Sequence, residues 1–571
     1  MNVQTSAMEP RWVLPEPAPE SARALAAELD VAPFVAELLS RRGLADASAA
    51  AAFLDPRLQS LRDPYLLLGM EAAVQRIFEA LDKTQRMVLY GDYDVDGVTS
   101  LAFLSRVLQA AGGLVECFVP SRIEEGYGLS AAGVTRCLET LAPQLLIAVD
   151  CGTTAVGEVA QLRAAGVDVL ILDHHEPKSE LPDCLALVNP KLGGDGQGLC
   201  SVGICFKLAH ALLKRRPVPG LDLRDYLDLV TLGTVADLVP LIDENRILVR
   251  RGLGQIASSR WLGLNALVEA SGLSTPITPS NVGFGLGPRL NAAGRLGSAE
   301  DALELLLTQD GARARSLARD LDLQNRERRD VEDLVLRAAE AQLAQWFDPA
   351  KHAGIVVGAE GWHPGVVGIV ASRLMRRHHR PVFVLGFDGD GVGKGSGRSI
   401  EGLSLVQALE QCRPLLEQFG GHDMAAGITL KQERMEEFRE AFLECAGRTL
   451  SVDQLQPVLR IDSALALGEV DLDLLRQHEA LQPFGIGNPQ PVFIARGVVP
   501  EEEPRILKEK HLSLMLRQGS RRQRAIWFGG AENPLPRPPW DVAFLLERNE
   551  YRGQVTAQIQ IRAVRSSVAI R

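Results

Sequence analysis

Between Met87 and Val188 the chain repeats one design. Short apolar runs (Met87–Tyr90, Val115–Val119, Leu145–Val149, Val169–Leu172 and Ala186–Val188) alternate with stretches of helical spacing. Runs this short, without polar alternation, belong to strands buried on both faces, and the segments between them supply the crossovers that parallel strands need. The pattern lasts to about residue 300 and predicts an α/β domain with a parallel sheet. Open sheets of this kind bind ligands beyond the carboxyl ends of their strands. The residues just after each run are therefore the informative ones.

The first run leads into Gly91-Asp92-Tyr93-Asp94-Val95-Asp96-Gly97, ahead of a helix from Thr99 to Ala110. In extended chain, alternate side chains share a face, so the three carboxylates are expected to converge. Ile147–Val149 runs into Asp150-Cys151-Gly152, Leu170–Leu172 into Asp173-His174-His175, and the small-residue segment Thr231–Ala236 into Asp237. One aspartate at a strand end is an ordinary cap. Four such ends carrying carboxylates and imidazoles point to a bound cation, because packed negative charges raise each other's pKa unless neutralised. The mixed oxygen and nitrogen set suits Mn or Fe, with Zn a further option and Mg the weaker candidate. Two divalent ions about 3.5–4 Å apart polarise a phosphoryl group, activate water and stabilise a leaving oxygen. Metal-assisted hydrolysis of a phosphate ester or anhydride is the reaction class these residues support.

The chain is 571 residues long, which implies three to four domains. No apolar stretch reaches the roughly 18 residues of a membrane span, and the first residues lack the order of a signal peptide. Eight cysteines without a C-x-x-C pair read as reduced thiols in a cytoplasmic protein. Residues 311–347 carry alternating charge, Leu at helical spacing and no proline, which predicts a long, largely exposed helix between domains. A second α/β segment follows Asp348-Pro349, and short strand-like runs after Pro457 suggest a small barrel. The net charge of −11 argues against a polyanionic partner, yet residues 496–571 hold 14 Lys and Arg against 8 Asp and Glu. An acidic body with a basic appendage suits carboxylates for metals and a separate module for a nucleic acid.

Read together, GDYDVDG, VDCG, DHH and GTVAD resemble the signature motifs of the DHH phosphoesterase superfamily. Gly420-Gly421-His422-Asp423-Met424-Ala425-Ala426-Gly427 is similar to the motif of the DHH-associated domain. Five further stretches resemble that superfamily's bacterial single-strand-specific 5′-to-3′ DNA exonucleases: the Ser121–Gly128 segment, GPRLNAAGR at 287–295, GWHPGVVGIVA at 361–371, SGRS at 396–399 and PFGIGNP at 483–489. The resemblance implies an N-terminal helical region (1–75), a parallel-sheet DHH domain (76–310), a linker helix (311–349), a smaller α/β DHH-associated domain (350–452) and an OB-fold barrel (453–571). It implies two divalent ions, Mn2+ or Mg2+, on Asp94, Asp96, Asp150, His174 and Asp237. Asp92 and Asp173 would stand behind these ligands, and His175 at the scissile phosphate. The 5′ end would be held by Ser396 and Arg398, with Arg122 and Arg295 or Arg289, Tyr127 and His422 contributing.

The function so implied is degradation of single-stranded DNA to 5′-mononucleotides in DNA repair and recombination. Single-strand-binding protein, helicases and recombination factors are the implied partners, and no membrane is involved. The Gly-rich run Gly389–Gly397 is expected to bring backbone N–H groups close to a phosphate. Tyr127, Trp362 and Trp527 are candidate base platforms, each more readily explained as core. The alternatives are a pyrophosphatase, an oligoribonuclease, a cyclic-dinucleotide phosphodiesterase, and a non-catalytic single-strand-binding scaffold. The basic terminal barrel favours a polymer substrate over the first three, and the intact ligand set disfavours the fourth.

Overall fold

The computed structural model describes residues 9–120, 125, 128–193, 198–296 and 299–567, without the side chains of Arg295, Leu296 and Tyr551. They form two compact units. The larger comprises residues 14–322 and the chain from Ile461 onward; the smaller comprises Leu323–Arg460 with the strand Arg11–Val13.

In the larger unit the five apolar runs are strands β1 (Arg86–Gly91), β2 (Leu114–Phe118), β3 (Leu145–Val149), β4 (Asp168–Leu172) and β5 (Ala186–Val188). All are parallel, in the order β2-β1-β3-β4-β5. Alternate residues serve opposite faces. Met87, Leu89 and Ile147 pack with helices α1 (Val95–Ala110), α4 (Ser201–Arg215) and α5 (Leu227–Ala236). Val88, Tyr90 and Ala148 pack with α2 (Ala131–Leu141) and α3 (Val156–Ala164). Burial on both faces is why these runs lack polar alternation. The sheet continues into α6 (Asp243–Ile256) and α7 (Gly287–Leu296), the latter entered through a π-helical turn at Val282–Leu286.

Helix α8 runs unbroken from Gly311 to Trp346. It is less exposed than its charge pattern suggests. Leu317 and Leu321 belong to the core of the larger unit, and Val335, Ala339 and Leu343 to a core of the smaller one. The four-residue spacing within each set places one stripe of α8 in each core.

In the smaller unit β6 (Ile355–Glu360), β7 (Val382–Phe387), β8 (Val392–Arg398), β9 (Gln418–Gly421) and β10 (Ala425–Lys431) lie in the order β9-β10-β8-β7-β6. Only β6 and β7 are parallel. Helix α9 (Pro364–His378) packs on the Val382 and Val384 face. Helices α10 (Leu405–Gln411) and α11 (Met435–Thr449) pack on the Phe383 and Leu385 face.

The terminal barrel follows α12 (Leu472–Ala480). Its strands are β11 (Phe493–Pro500), β12 (Arg505–Leu507), β13 (His511–Gln518), β14 (Arg521–Trp527), β15 (Trp540–Tyr551) and β16 (Gln554–Ser566). Pairing runs β11-β15-β16-β14-β13, and a β13–β11 contact closes the ring, as the strand-rich text after Pro457 predicts. The barrel shares its core with the N-terminal helices. Leu25, Phe34, Leu38 and Leu39 pack among Phe493, Leu514 and Phe544, with the Phe34 and Phe493 rings 5.4 Å apart. Arg246 of α6, 2% exposed, donates to the carbonyls of Phe53, Ala480 and Leu481 and ties helix and barrel to the parallel-sheet domain.

Candidate metal centre and phosphate-binding face

The acidic groups after β1 converge by a route other than the extended strand expected. The strand stops at Gly91 and α1 begins at Val95, so only Asp92 precedes the turn. Asp94 caps α1, its Oδ1 accepting the Gly97 N–H at 3.1 Å. Asp96 lies in the first helical turn, fully buried. Its two oxygens accept the N–H groups of Ser201 and Val202 at 2.6 and 2.9 Å, at the N-terminus of α4. That end of a helix favours negative charge. Gly97 is needed for this turn, since a Cβ there would stand 2.3 Å from the Asp92 carbonyl oxygen.

Asp150 follows β3 with a left-handed backbone (φ 62°), and its Oδ1 accepts the Ser201 hydroxyl at 3.0 Å. His174 follows β4. Its Nε2 lies 3.3 Å from Asp150 Oδ1, 3.4 Å from Asp237 Oδ2 and 3.8 Å from Asp96 Oδ2. Asp237 does not end a strand. Residues 231–236 are the last turns of α5, whose Gly233 lets it approach Thr99 and Asp96. A carboxylate at a helix C-terminus faces the negative end of the dipole, a placement that a cation resolves.

Three sets of ligand atoms each lie within 4.8 Å of one another: Asp92, Asp94 and Asp150; Asp96, Cys200 and Asp237; and Asp150, His174 and His175. Asp150 belongs to two of them, as a bridging ligand would. Burial, then mutual repulsion, raises the carboxyls of Asp92 and Asp96 to about 7 and that of Asp237 to about 9, and holds Asp150 well above the usual range. Burial and the neighbouring His175 lower His174 to about 4, so its imidazole is neutral and ready to ligate. Among the described residues, His174 Nε2, Asp237 Oδ2 and both oxygens of Asp92 have no hydrogen bond. Buried, unsatisfied carboxylates around a neutral imidazole fit one or two divalent ions. Asp92, expected behind the ligands, offers an oxygen in the set with Asp94 and Asp150.

Asp173 belongs to none of the three sets. It accepts the backbone N–H groups of Thr153, His174 and His175 and lies 2.7 Å from His175 Nδ1. Burial alone would raise its pKa, but His175 and Thr153 outweigh burial and hold it well below the usual carboxylate range. Burial opposes charge on His175 as well, yet its contact with Asp173 raises its pKa. Beside an ionised Asp173, Nδ1 is the donor of that contact. Sequence reading missed Cys200, Ser201, Asn189, which donates to the His175 carbonyl, and Asn291, which accepts the Val95 N–H. Asn291 lies in a motif already singled out; the other three carry no signal of their own.

The residues expected to bind substrate divide. Arg122 and Tyr127 lie outside the described residues, as does the side chain of Arg295. Arg289 is buried against Asp322 (2.8 Å) and the Gly285 carbonyl (2.6 Å), so its guanidinium is engaged inside the fold. Trp362 and Trp527 are core residues.

In the smaller unit, Ser396 and Arg398 project from β8, with Arg398 Nη1 donating to Ser396 Oγ at 3.0 Å. Among the described residues no carboxylate pairs with Arg398. His422 is exposed at the tip of the β9–β10 hairpin. From Val392 onward the Gly-rich run does not offer free N–H groups, because β8 is paired on both edges. Its glycines serve packing instead: a Cβ on Gly393, Gly395 or Gly397 would meet Phe387, Leu385 or Phe383 at 2.4–2.8 Å. A bare patch of sheet face lies one strand over, at Gly420 and Gly427, cross-strand partners with nothing nearer than 3.9 Å to an added Cβ, although β10 is itself paired on both edges.

Three family models match this architecture in order: the DHH family N-terminal domain at residues 86–234, the DHHA1 domain at 352–448 and the RecJ OB domain at 461–563. The single-stranded-DNA-specific exonuclease RecJ of Bacillus subtilis is 37% identical over 562 residues, covering 97% of this chain and 70% of that protein. The chain belongs to the RecJ family. The Dickeya dadantii RecJ is 36% identical, covering 89% of this chain and 92% of its own. Among solved structures, Thermus thermophilus RecJ in complex with Mn2+ superposes with a TM-score of 0.83 at 35% identity, covering 98% of this chain and 80% of that one. An exonuclease RecJ bound to manganese matches with a TM-score of 0.60 at 40% identity, over 69% of this chain and 97% of its own.

Proposed function

We propose that the chain is a divalent-metal-dependent exonuclease that degrades single-stranded DNA from the 5′ end to 5′-mononucleotides, in DNA repair and recombination. The observation that carries the chemistry is the convergence of His174 Nε2 with Asp150 and Asp237 oxygens at 3.3–3.4 Å, buried and without hydrogen bonds at His174 Nε2 and Asp237 Oδ2. Asp94, Asp96, Asp150, His174 and Asp237, with Asp92, would hold Mn2+ or Mg2+. When bound, such ions polarise the phosphoryl group, activate water and stabilise the leaving oxygen. The α4 N-terminus orients Asp96, Ser201 orients Asp150, and Asp173 orients His175 so that its Nε2–H can donate to an oxygen of the scissile phosphate.

Ser396, Arg398 and His422 form the candidate site for the 5′ end, supported by an arginine that no carboxylate pairs among the described residues, close to the bare sheet face at Gly420 and Gly427. Arg122, Arg295 and Tyr127 belong to the same reading. The terminal barrel would track the strand. Cooperation with single-strand-binding protein, helicases and recombination factors is supported by the substrate itself, which those proteins make or coat. No helix among the described residues is long and apolar enough to cross a membrane. A cytoplasmic location is supported by eight cysteines, all free.

The test is digestion of end-labelled single and double strands with Mn2+ or Mg2+. Release of 5′-labelled mononucleotide first, from single strands alone, is expected. Release from the 3′ end first, or equal attack on duplex, would contradict the reading.

A further inference from the structure

Phe284 and Leu238 are 69% and 65% exposed, and Phe284 is the most exposed phenylalanine among the described residues. Both lie on segments that pack together next to the candidate metal centre. Leu238 directly follows the candidate ligand Asp237, in a left-handed backbone conformation (φ 62°) that a bulky residue adopts only when its surroundings impose it. Phe284 sits in the π-helical turn that leads into α7. Such turns recur at functional sites.

The turn is locked to the centre from two sides. A Cβ on Gly287 would touch the Ala236 Cβ at 3.4 Å, one residue before Asp237. Further along α7, Asn291 Oδ1 accepts the Val95 N–H at 3.1 Å, and Gly294 abuts the Tyr93 carbonyl, so α7 braces the loop that carries Asp92, Asp94 and Asp96. The exposed ring and the exposed isobutyl group thus stand on the two segments that meet at Gly287 and Ala236, one residue before Asp237. Hydration of such apolar surface gains the fold nothing, and none of the metal chemistry uses it.

We infer that Phe284 and Leu238 form an apolar lip for the bases of the strand whose phosphate lies at the metal centre, with Phe284 stacking on a base face and Leu238 packing against its edge. This rests on the reading of the chain as a single-strand exonuclease and adds a source of selectivity to it. A base face is free in a single strand and covered by its neighbours in a duplex, so a paired end must unstack before the lip can engage. Every base has a π-face, so the contact grips the strand without choosing a sequence.

The experiment uses the full chain with saturating Mn2+ and 5′-phosphorylated single strands carrying one abasic nucleotide at the first, second, third or fourth position. In the unaltered protein, KM should rise about tenfold when the abasic nucleotide occupies the contacted position. Phe284→Ala should raise KM about as much on intact strands and add nothing at that position, while Phe284→Trp restores it. Leu238→Ala should show the same pattern, more weakly. Mn2+ bound per chain should be unchanged in each variant, which separates a lost base contact from a damaged centre.

If Phe284→Ala leaves KM on intact strands unchanged, as it would if the lip served a protein partner, the inference is overturned. It is overturned equally if the loss persists undiminished on every abasic strand. An unaltered protein that cleaves no strand at all would sink the nuclease reading instead.

Discussion

Asp173 differs from the other acidic residues of the centre in having an imidazole, His175, as a partner at 2.7 Å in addition to backbone donors. Three backbone N–H groups and the His175 ring hold its carboxyl well below the usual carboxylate range. Its role is to orient His175. Asp173→Asn should lower kcat by about 10- to 100-fold while leaving the fold intact, as removal of outer partners of a metal centre typically does. A variant with unaltered kcat would remove His175 from the mechanism.

The carboxyls of Asp92, Asp96 and Asp237 behave in the opposite sense. Asp92 and Asp96 at about 7 and Asp237 at about 9 stand above their unfolded values near 4, so the metal-free folded protein holds protons that the unfolded chain has released. That contribution is complete below about pH 4 and is lost as pH rises through about 7 to 9. Divalent cations compete with those protons. The rise in Tm on adding Mn2+, measured against a chelated control, should therefore be larger at about pH 8 than at about pH 5.5; a flat or reversed trend would contradict it. At this scale the sequence was informative about identity, since each motif aspartate and His174 reaches the centre. It misled on geometry, because alternate spacing implies a shared face only in extended chain, and the chain turns helical at Val95.

Among the elements, the parallel strands were legible because burial on both faces leaves uninterrupted apolar runs. The fourth acidic segment was not, because Thr231–Ala236 is small and β-branched yet helical, a composition shaped by close approach to α1. The Gly-rich strand β8 was misread for a related reason. Glycine marks close approach, but the approaching groups are Phe383, Leu385 and Phe387. Gly397→Ala should therefore destabilise the smaller unit by about 1–3 kcal/mol through overpacking against Phe383. Gly427→Ala, on the open side, should stay within about 0.5 kcal/mol. Thermal melts of the two variants check the contrast, and equal losses would refute this account of β8.

For the whole molecule, the shared core of the N-terminal helices and the barrel was beyond sequence reading. Phe34 and Phe493 meet across more than four hundred residues, and no local pattern announces such a pairing. Deleting the barrel would strip that core, so its part in strand binding is better tested by charge. Arg521 and Arg524 are exposed on β14, and among the described residues neither pairs with a carboxylate. Their joint replacement by Ala should make the salt dependence of single-strand binding shallower by roughly 1.4 in log–log slope, about 0.7 per lost phosphate contact. An unchanged slope would place the strand elsewhere.

Asp150 is shared by two of the three candidate ligand sets and would serve both ions of a pair. Counting Mn2+ bound per chain after exhaustive dialysis, in the unaltered protein and in Asp150→Ala, tests this most directly. Two ions per chain, falling to one or none in the variant, are expected. A chain that binds no Mn2+, or a variant that keeps both ions, would contradict it.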